Sequence, residues 1–161
     1  MNLLLIKQIS ILALIAGSFM GIIATVPFLF WISILVELFW IAAFVIIYLK
    51  QQDLIGIINV REGSIFGAII GFVSFISFSI AFIPISSILG SIFKTYSLDV
   101  LRFFFNDFGS FIILILLIIS TAGLSALFNG FTGLVTAYAY ELITGIKKEN
   151  NQNNTIDFEI Q

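Results

Sequence analysis

The chain has 161 residues, of which 60% are hydrophobic and only 10% are charged, and its formal net charge is -2. A soluble domain carries about 25% charged residues, so this composition excludes a fully water-facing surface. The chain contains no cysteine and no histidine and has no basic face. These absences exclude disulfides, the usual zinc and haem ligands and a nucleic-acid partner.

Three uncharged stretches of about 30 residues each cover residues 8–36, 63–93 and 108–140. A bilayer core about 30 Å thick is crossed by roughly 20 apolar residues in a helix. The stretches therefore predict an all-α integral membrane protein, with one transmembrane domain over residues 1–146 in contact with the lipid bilayer. The first stretch is too long for a signal peptide and lacks a cleavage site, so we expect it to remain as the first membrane helix.

The first two helices are predicted over residues 9–26 and 29–49. The segment from residue 8 to residue 49 is long enough for two spans. Pro27 marks the turn between them, because proline breaks the helical hydrogen-bond ladder.

The third helix is predicted over residues 60–83. Asn59 and Glu62 have the spacing of a capping box at its start, and Pro84 interrupts it. Residues 85–107 have apolar and polar faces at helical spacing, which predicts one or two amphipathic helices in the membrane interface. The alternative is that this segment is only a linker that shields the bundle.

The fourth helix is predicted over residues 109–143. It is longer than the membrane is thick, so it must tilt, kink near Asn129 and Gly130, or protrude. The polar, asparagine-rich tail over residues 147–161 is predicted to be disordered.

The predicted fold is a four-helix membrane bundle, and its orientation follows from its positive charges. With four spans, both termini and the loop between helices 2 and 3 share one side, which holds five of the seven Lys and Arg residues. The opposite side holds only Lys94 and Arg102. Because positively charged loops stay in the cytoplasm, both termini are expected to be cytoplasmic, with the protein in the cell membrane.

Two helices carry glycines at four-residue spacing, namely Gly17 and Gly21 on the first and Gly63, Gly67 and Gly71 on the third. Such ridges let membrane helices pack closely, because helices in lipid associate through backbone contact rather than through the hydrophobic effect. The partner helix lies either within the chain or in another copy of a homo-oligomer.

The fourth helix has a stripe of small and polar residues at steps of four, which includes Thr121, Ser125 and Asn129. Polar groups in lipid cost free energy, so the stripe is expected to face protein or water. It either joins helices through hydrogen bonds or lines a polar transport path.

Glu37 is the most informative single residue, because it lies roughly 12 Å along the second helix. No intramembrane Lys or Arg is available to pair with it. We expect this side chain to face the bundle, protonated and hydrogen-bonded to hydroxyls such as those of Ser74 and Ser77. It is either a site for proton or cation passage or a neutral structural acid.

Several short motifs occur together in the first half of the chain. They are the run Gly17-Ser-Phe-Met-Gly21, the turn at Pro27, and Asn59-Val-Arg-Glu-Gly63-Ser-Ile-Phe-Gly67-Ala-Ile-Ile-Gly71. On these motifs the chain resembles a set of small, uncharacterised four-pass membrane proteins of bacteria and archaea with a glycine-zipper third helix. The second helix departs from their pattern, with Trp40-Ile41-Ala42-Ala43 in place of paired glycines. The resemblance implies the four-pass fold and no activity.

No motif for binding a nucleotide, a cofactor or a metal occurs, so no cofactor and no enzymatic activity are expected. The first hypothesis is a non-enzymatic membrane component that packs against itself or a membrane protein partner. The alternative is a small proton- or cation-linked transporter or channel that uses Glu37. A third hypothesis is an enzyme acting on lipid through Glu37, Asp99 or Asp107.

Overall fold

A computed structural model describes residues 3–52, 54–56, 58–93 and 107–158, and these residues form helices, turns and loops without strands. The five helices are α1 (Leu3–Ile23), α2 (Phe30–Phe39), α3 (Ile41–Gln51), α4 (Val60–Phe93) and α5 (Phe108–Phe158). Three helices, α1, α4 and α5, are each long and apolar enough to cross a membrane, and a fourth span results if α2 and α3 count as one.

In the described part of the chain, buried polar side chains lie inside the bundle beside an apolar core, and many large apolar side chains face outwards, which is the distribution of a protein solvated by lipid. Glu37, Ser74, Ser125 and Asn129 are fully buried. Large apolar side chains, in contrast, are widely exposed along the helices. An apolar cluster that includes Ile46 and Ile70 fills the bundle towards the start of α4. Together with the apolar length of the helices, this distribution identifies an all-helical membrane protein.

The helices α1 and α4 are parallel and in close backbone contact. A Cβ atom on Gly17 would overlap the carbonyl group of Ser74, and one on Gly21 would overlap that of Phe78, so the contacts advance in the same direction on both helices. The Ser18 and Ser77 hydroxyls, 2.6 Å apart, form a hydrogen bond between these two helices.

The helices α4 and α5 are antiparallel, and the glycine ridge of α4 forms their contact. Gly63 faces Gly133 and Ala137, Gly67 faces Asn129, and Gly71 faces Ser125. Of the two arrangements that the sequence left open, this ridge adopts the one within the chain.

The second predicted helix is broken in two, which corrects the expectation of one continuous helix over residues 29–49. The axes of α2 and α3 differ by 66° across Trp40. The Phe30 ring contacts the Phe82 ring near the end of α4, with centroids 5.4 Å apart. At the other end of the pair, the Lys50 ammonium lies 5.9 Å from the Tyr140 ring centroid on α5. The pair therefore runs alongside α5 in the same direction.

The third predicted helix does not end at residue 83, because α4 continues through Pro84 to Phe93. Proline is tolerated in membrane helices where hydroxyls or neighbouring groups satisfy the freed backbone atoms. The carbonyl oxygen that loses its amide partner is that of Ile80, and the nearby Ser86 hydroxyl donates to a different carbonyl oxygen, that of Phe82. The first part of the predicted interfacial segment 85–107 thus belongs to α4, and residues 94–106 lie outside the described residues.

Replacing Pro84 by alanine is expected to stabilise the protein by about 1 kcal/mol, because alanine supplies the amide that the carbonyl four residues earlier lacks. The side chain of Pro84 is exposed, so little packing is lost. The midpoint of unfolding by SDS in mixed micelles measures the change. A lower midpoint would show that the ring itself supports α4.

The fourth predicted helix begins near the expected residue and is much longer than expected. The helix α5 runs without a break through Asn129 and Gly130 and ends at Phe158. Its apolar part, Phe108–Ile143, has 36 residues. The helix therefore includes most of residues 147–161, which the sequence assigned to a disordered tail.

Candidate functional site

The break between α2 and α3 interrupts three consecutive helical hydrogen bonds. The Trp40 amide donates to the Val36 carbonyl oxygen at 2.8 Å, and the ladder resumes where the Phe44 amide donates to the Trp40 carbonyl oxygen at 3.2 Å. Between these two bonds, the carbonyl oxygens of Glu37, Leu38 and Phe39 accept none from the backbone of α3. In lipid each unsatisfied backbone group costs several kcal/mol, so these oxygens require other donors.

Asn129 on α5 takes the place of one missing helical bond. Its Nδ2 atom donates to the Leu38 carbonyl oxygen at 2.9 Å, and its Oδ1 atom accepts from the Ala42 amide at 2.9 Å. In a continuous helix that amide would donate directly to that carbonyl oxygen. The side-chain amide is therefore inserted between the two groups and holds the break open.

Two further side chains of α5 cap the other free oxygens. The Ser125 hydroxyl donates to the carbonyl oxygen of Glu37 at 3.2 Å, and Asn129 Nδ2 reaches the same oxygen at 3.0 Å. The Thr132 hydroxyl donates to the carbonyl oxygen of Phe39 at 2.7 Å. Sequence reasoning missed Thr132 because it lies three residues beyond Asn129, off the four-residue stripe. Residues three apart are also neighbours on a helix surface, and this spacing would have pointed to Thr132.

The side chain of Glu37 lies at this break, one turn before Trp40, with 0% of its surface exposed. Neither Oε1 nor Oε2 has a hydrogen-bond partner among the described residues. The Ser74 hydroxyl lies close enough to influence the carboxyl group, but its hydrogen bond goes to the Gly71 carbonyl oxygen at 3.4 Å. Glu37 faces the bundle as predicted, whereas the predicted hydrogen bonds to hydroxyls are not formed.

The carboxyl group lies near the middle of the membrane-spanning part of the protein. Its neighbour Ser125 is at the centre of the apolar part of α5, Phe108–Ile143, and Ser74 is at the centre of the apolar part of α4, Val60–Gly90. At this depth an ionised carboxylate without a partner is very costly, so the neutral acid is the stable form. The partial negative charge at the end of α2 acts in the same direction.

The other predicted site residues lie elsewhere. Ser77 donates to the Leu14 carbonyl oxygen at 2.8 Å and belongs to the contact between α1 and α4. Thr121 bonds only within its own helix, to the Leu117 carbonyl oxygen at 2.8 Å. Of the six residues proposed from the sequence, four therefore come together at the break: Glu37, Ser74, Ser125 and Asn129.

A metal site is not built around Glu37, since no group of three or more Asp and Glu side chains occurs among the described residues. Two open grooves lie on the surface. One, of about 440 Å³, runs between α1 and α3 and is wholly apolar. The other, of about 410 Å³, lies beside Ser18 and Ser77. Neither groove is lined by Glu37.

Comparison with known proteins does not identify a relative. No family model, no curated protein and no solved structure matches this chain. The resemblance to small four-pass membrane proteins therefore stays a prediction, and the function must be argued from the site itself.

Proposed function

We propose that this membrane protein crosses the bilayer four times, as do the small four-pass proteins it resembles, and that both of its termini lie in the cytoplasm. The parallel arrangement of α1 and α4 supports this topology, because the chain must return across the membrane between two parallel spans. Only α2 and α3 lie between them in the sequence, and they run from the contact with Phe82 to the contact with Tyr140. Together they form one broken span. The Lys and Arg distribution supports the orientation.

The function that this geometry supports best is a small proton-linked transporter in which Glu37 binds and releases a proton. The observation that carries the proposal is a fully buried carboxyl group, without a hydrogen-bond partner, at a helix break at mid-membrane depth. A carboxyl group that made only structural contacts would be expected to have its oxygens paired. Ionisable residues in membrane spans mark ion and proton pathways often enough to be functional candidates by default.

The break itself supports the same proposal. Secondary transporters place their substrate and ion sites at discontinuous helices near the middle of the membrane. In this chain the carbonyl oxygens of the break are taken by Ser125, Asn129 and Thr132. A metal cation would need such oxygens to replace its hydration shell, whereas a proton needs only the carboxylate. The proton is therefore the ligand that this site favours.

A second candidate function is a non-enzymatic component that binds a membrane protein partner. The observation that favours it is that side chains of α5 cap all three free carbonyl oxygens of the break. Such capping is also expected in a protein whose helices do not move. The glycine ridges do not favour this candidate over the first, because both pack within the chain, the ridge of α1 against α4 and the ridge of α4 against α5.

Replacing Glu37 by glutamine is expected to abolish proton movement across the membrane, because glutamine has nearly the same shape as glutamic acid but its side chain does not titrate. The measurement is the fluorescence of a pH-sensitive dye trapped in liposomes that contain the purified protein, under an imposed pH gradient. The wild type should dissipate the gradient faster than empty liposomes, and the variant should not.

Glu141→Gln is the matched control, since this acid is exposed on α5. It should leave the proton flux unchanged. Absence of flux in the wild type under any gradient would contradict the proton-linked function and favour the partner-binding component.

A further inference from the structure

We propose that the junction between α2 and α3 is a hinge whose bend depends on the protonation of Glu37, with Asn129 as the positioning residue. The hinge is defined here as the segment 37–42. The protonated acid corresponds to the bent form in the structure, and ionisation straightens the pair into one helix. This inference rests on the proposed function only in taking Glu37 as the group that exchanges a proton.

Three side-chain donors near the carboxyl group, those of Ser125, Asn129 and Ser74, are engaged with backbone carbonyl oxygens. Ser125 and Asn129 donate to the backbone carbonyl oxygen of Glu37 itself. Asn129 also donates to Leu38, and Ser74 donates to Gly71. Because the neutral acid does not compete strongly for these donors, this pattern suits the protonated form.

Ionisation of Glu37 changes the competition for these donors. A carboxylate accepts hydrogen bonds about twice as strong as those of a neutral carbonyl oxygen. At mid-membrane depth it also has no water to satisfy it. The Ser74 hydroxyl lies close to the carboxyl group, and the amide of Asn129 and the hydroxyl of Ser125 already reach the main chain of Glu37. If Asn129 and Ser125 turn to the carboxylate, the break loses two of its caps.

When Asn129 leaves the break, the two backbone groups that it separates can bond directly to each other. The Leu38 carbonyl oxygen and the Ala42 amide are partners in a continuous helix, and only the Asn129 side chain now lies between them. Once that side chain has turned to the carboxylate, the direct bond forms again. Because the bond fixes the helical geometry across Trp40, the 66° bend closes.

Other titratable groups of the described helices are remote from this hinge. Between Gly63 and Phe93 on α4, and between Phe108 and Ala137 on α5, the sequence has no charged or tyrosine side chain. The remaining groups lie outside these stretches of sequence: Lys7 on α1, Tyr48 and Lys50 on α3, Arg61 and Glu62 on α4, and Tyr138, Tyr140, Glu141, Lys147, Lys148, Glu149 and Asp157 on α5. A pH-dependent bend is therefore attributable to Glu37.

The test measures the bend directly by pulsed electron paramagnetic resonance between two spin labels. The chain has no cysteine, so Ile32→Cys and Gln51→Cys, both at exposed positions on either side of the hinge, label it cleanly. Removal of the 66° bend should lengthen the distance between these positions by about 4 Å, from the helical rise alone. The distance is measured in nanodiscs at about pH 4 and about pH 10, because these two values bracket the titration of a buried carboxyl group.

The labelled protein is expected to show the short distance at low pH and the long distance at high pH. With Glu37→Gln added, the short distance should persist at both pH values. With Asn129→Leu added, the long distance should appear at both. The pair Leu116→Cys and Leu127→Cys, exposed on the continuous helix α5, should show no change.

An unchanged distance in the otherwise unaltered protein, or an equal shift in the Glu37→Gln variant, would overturn the hinge. The Glu37→Gln result decides this even if Asn129→Leu does not fold. The two proposals fail separately. Proton flux with a constant distance refutes only the hinge, and a pH-dependent distance without flux refutes only the transport function.

Discussion

Replacement of Gly67 by alanine is expected to destabilise the bundle by more than about 2 kcal/mol, although alanine is the better helix former. A Cβ atom at this position would overlap the carbonyl group of Asn129 and would lie 3.1 Å from the Cα atom of Gly130. These are backbone atoms, so the clash is relieved only by separating α4 from α5. The separation would also withdraw Asn129 from the break, so the damage extends to the site.

Gly123→Ala is the matched control for this substitution. Gly123 is also a glycine in a membrane helix, and a Cβ atom there would meet nothing within 4 Å. Its expected effect is a gain of up to about 1 kcal/mol from helix propensity. The midpoints of SDS unfolding in mixed micelles should therefore shift in opposite directions for the two variants. Equal shifts would refute the close packing of α4 on α5.

Replacement of Asn129 by alanine is expected to be the second severe change, with a loss of about 2 kcal/mol or more. The substitution removes the donor to Leu38 and the acceptor for Ala42 together. A hydrogen bond between membrane helices contributes about 0.6 kcal/mol on average. Here, however, the deletion leaves buried backbone groups unsatisfied, and each such group costs about 1–3 kcal/mol. Straightening of the break recovers part of this loss.

Thr121→Ala is the control for Asn129. Thr121 belongs to the same predicted stripe, but its hydroxyl bonds only to Leu117 on its own helix. We expect a change within about 0.5 kcal/mol, as for a substitution away from any special feature. Thermal unfolding in detergent, followed by circular dichroism, ranks the two variants. A similar loss for both would show that Asn129 acts as general helix contact and not as the partner of the break.

The sequence predicted correctly the features that depend on local pattern. The apolar length of α1, α4 and α5 follows from hydropathy alone, because the thickness of the bilayer sets the length of an apolar helix. The close contacts of Gly67 and Gly71 follow from their four-residue spacing, since only glycine lets two backbones touch. The burial of Glu37 follows from the cost of exposing a carboxyl group to lipid.

Some predictions about where helices end or break were wrong. Pro84 was expected to end its helix, but α4 continues through it to Phe93. The second helix was expected to be continuous, because residues 29–49 contain neither proline nor glycine to signal a break. The four-residue stripe includes Ser125 and Asn129, which cap the break. It also includes Thr121, which bonds within its own helix, and it omits Thr132, which caps the Phe39 carbonyl oxygen.

By itself, the sequence determined that most of this protein is suited to lipid surroundings. It also determined the approximate positions of the long helices and the isolation of one carboxyl group among apolar residues. These properties depend on neighbours a few residues apart. Only the tertiary structure decided that the second predicted helix breaks at Trp40 and that the break lies beside Glu37. The physical reason is that the groups which offset the cost of the break are on α5, with Asn129 bonding to Glu37 across 92 residues of chain.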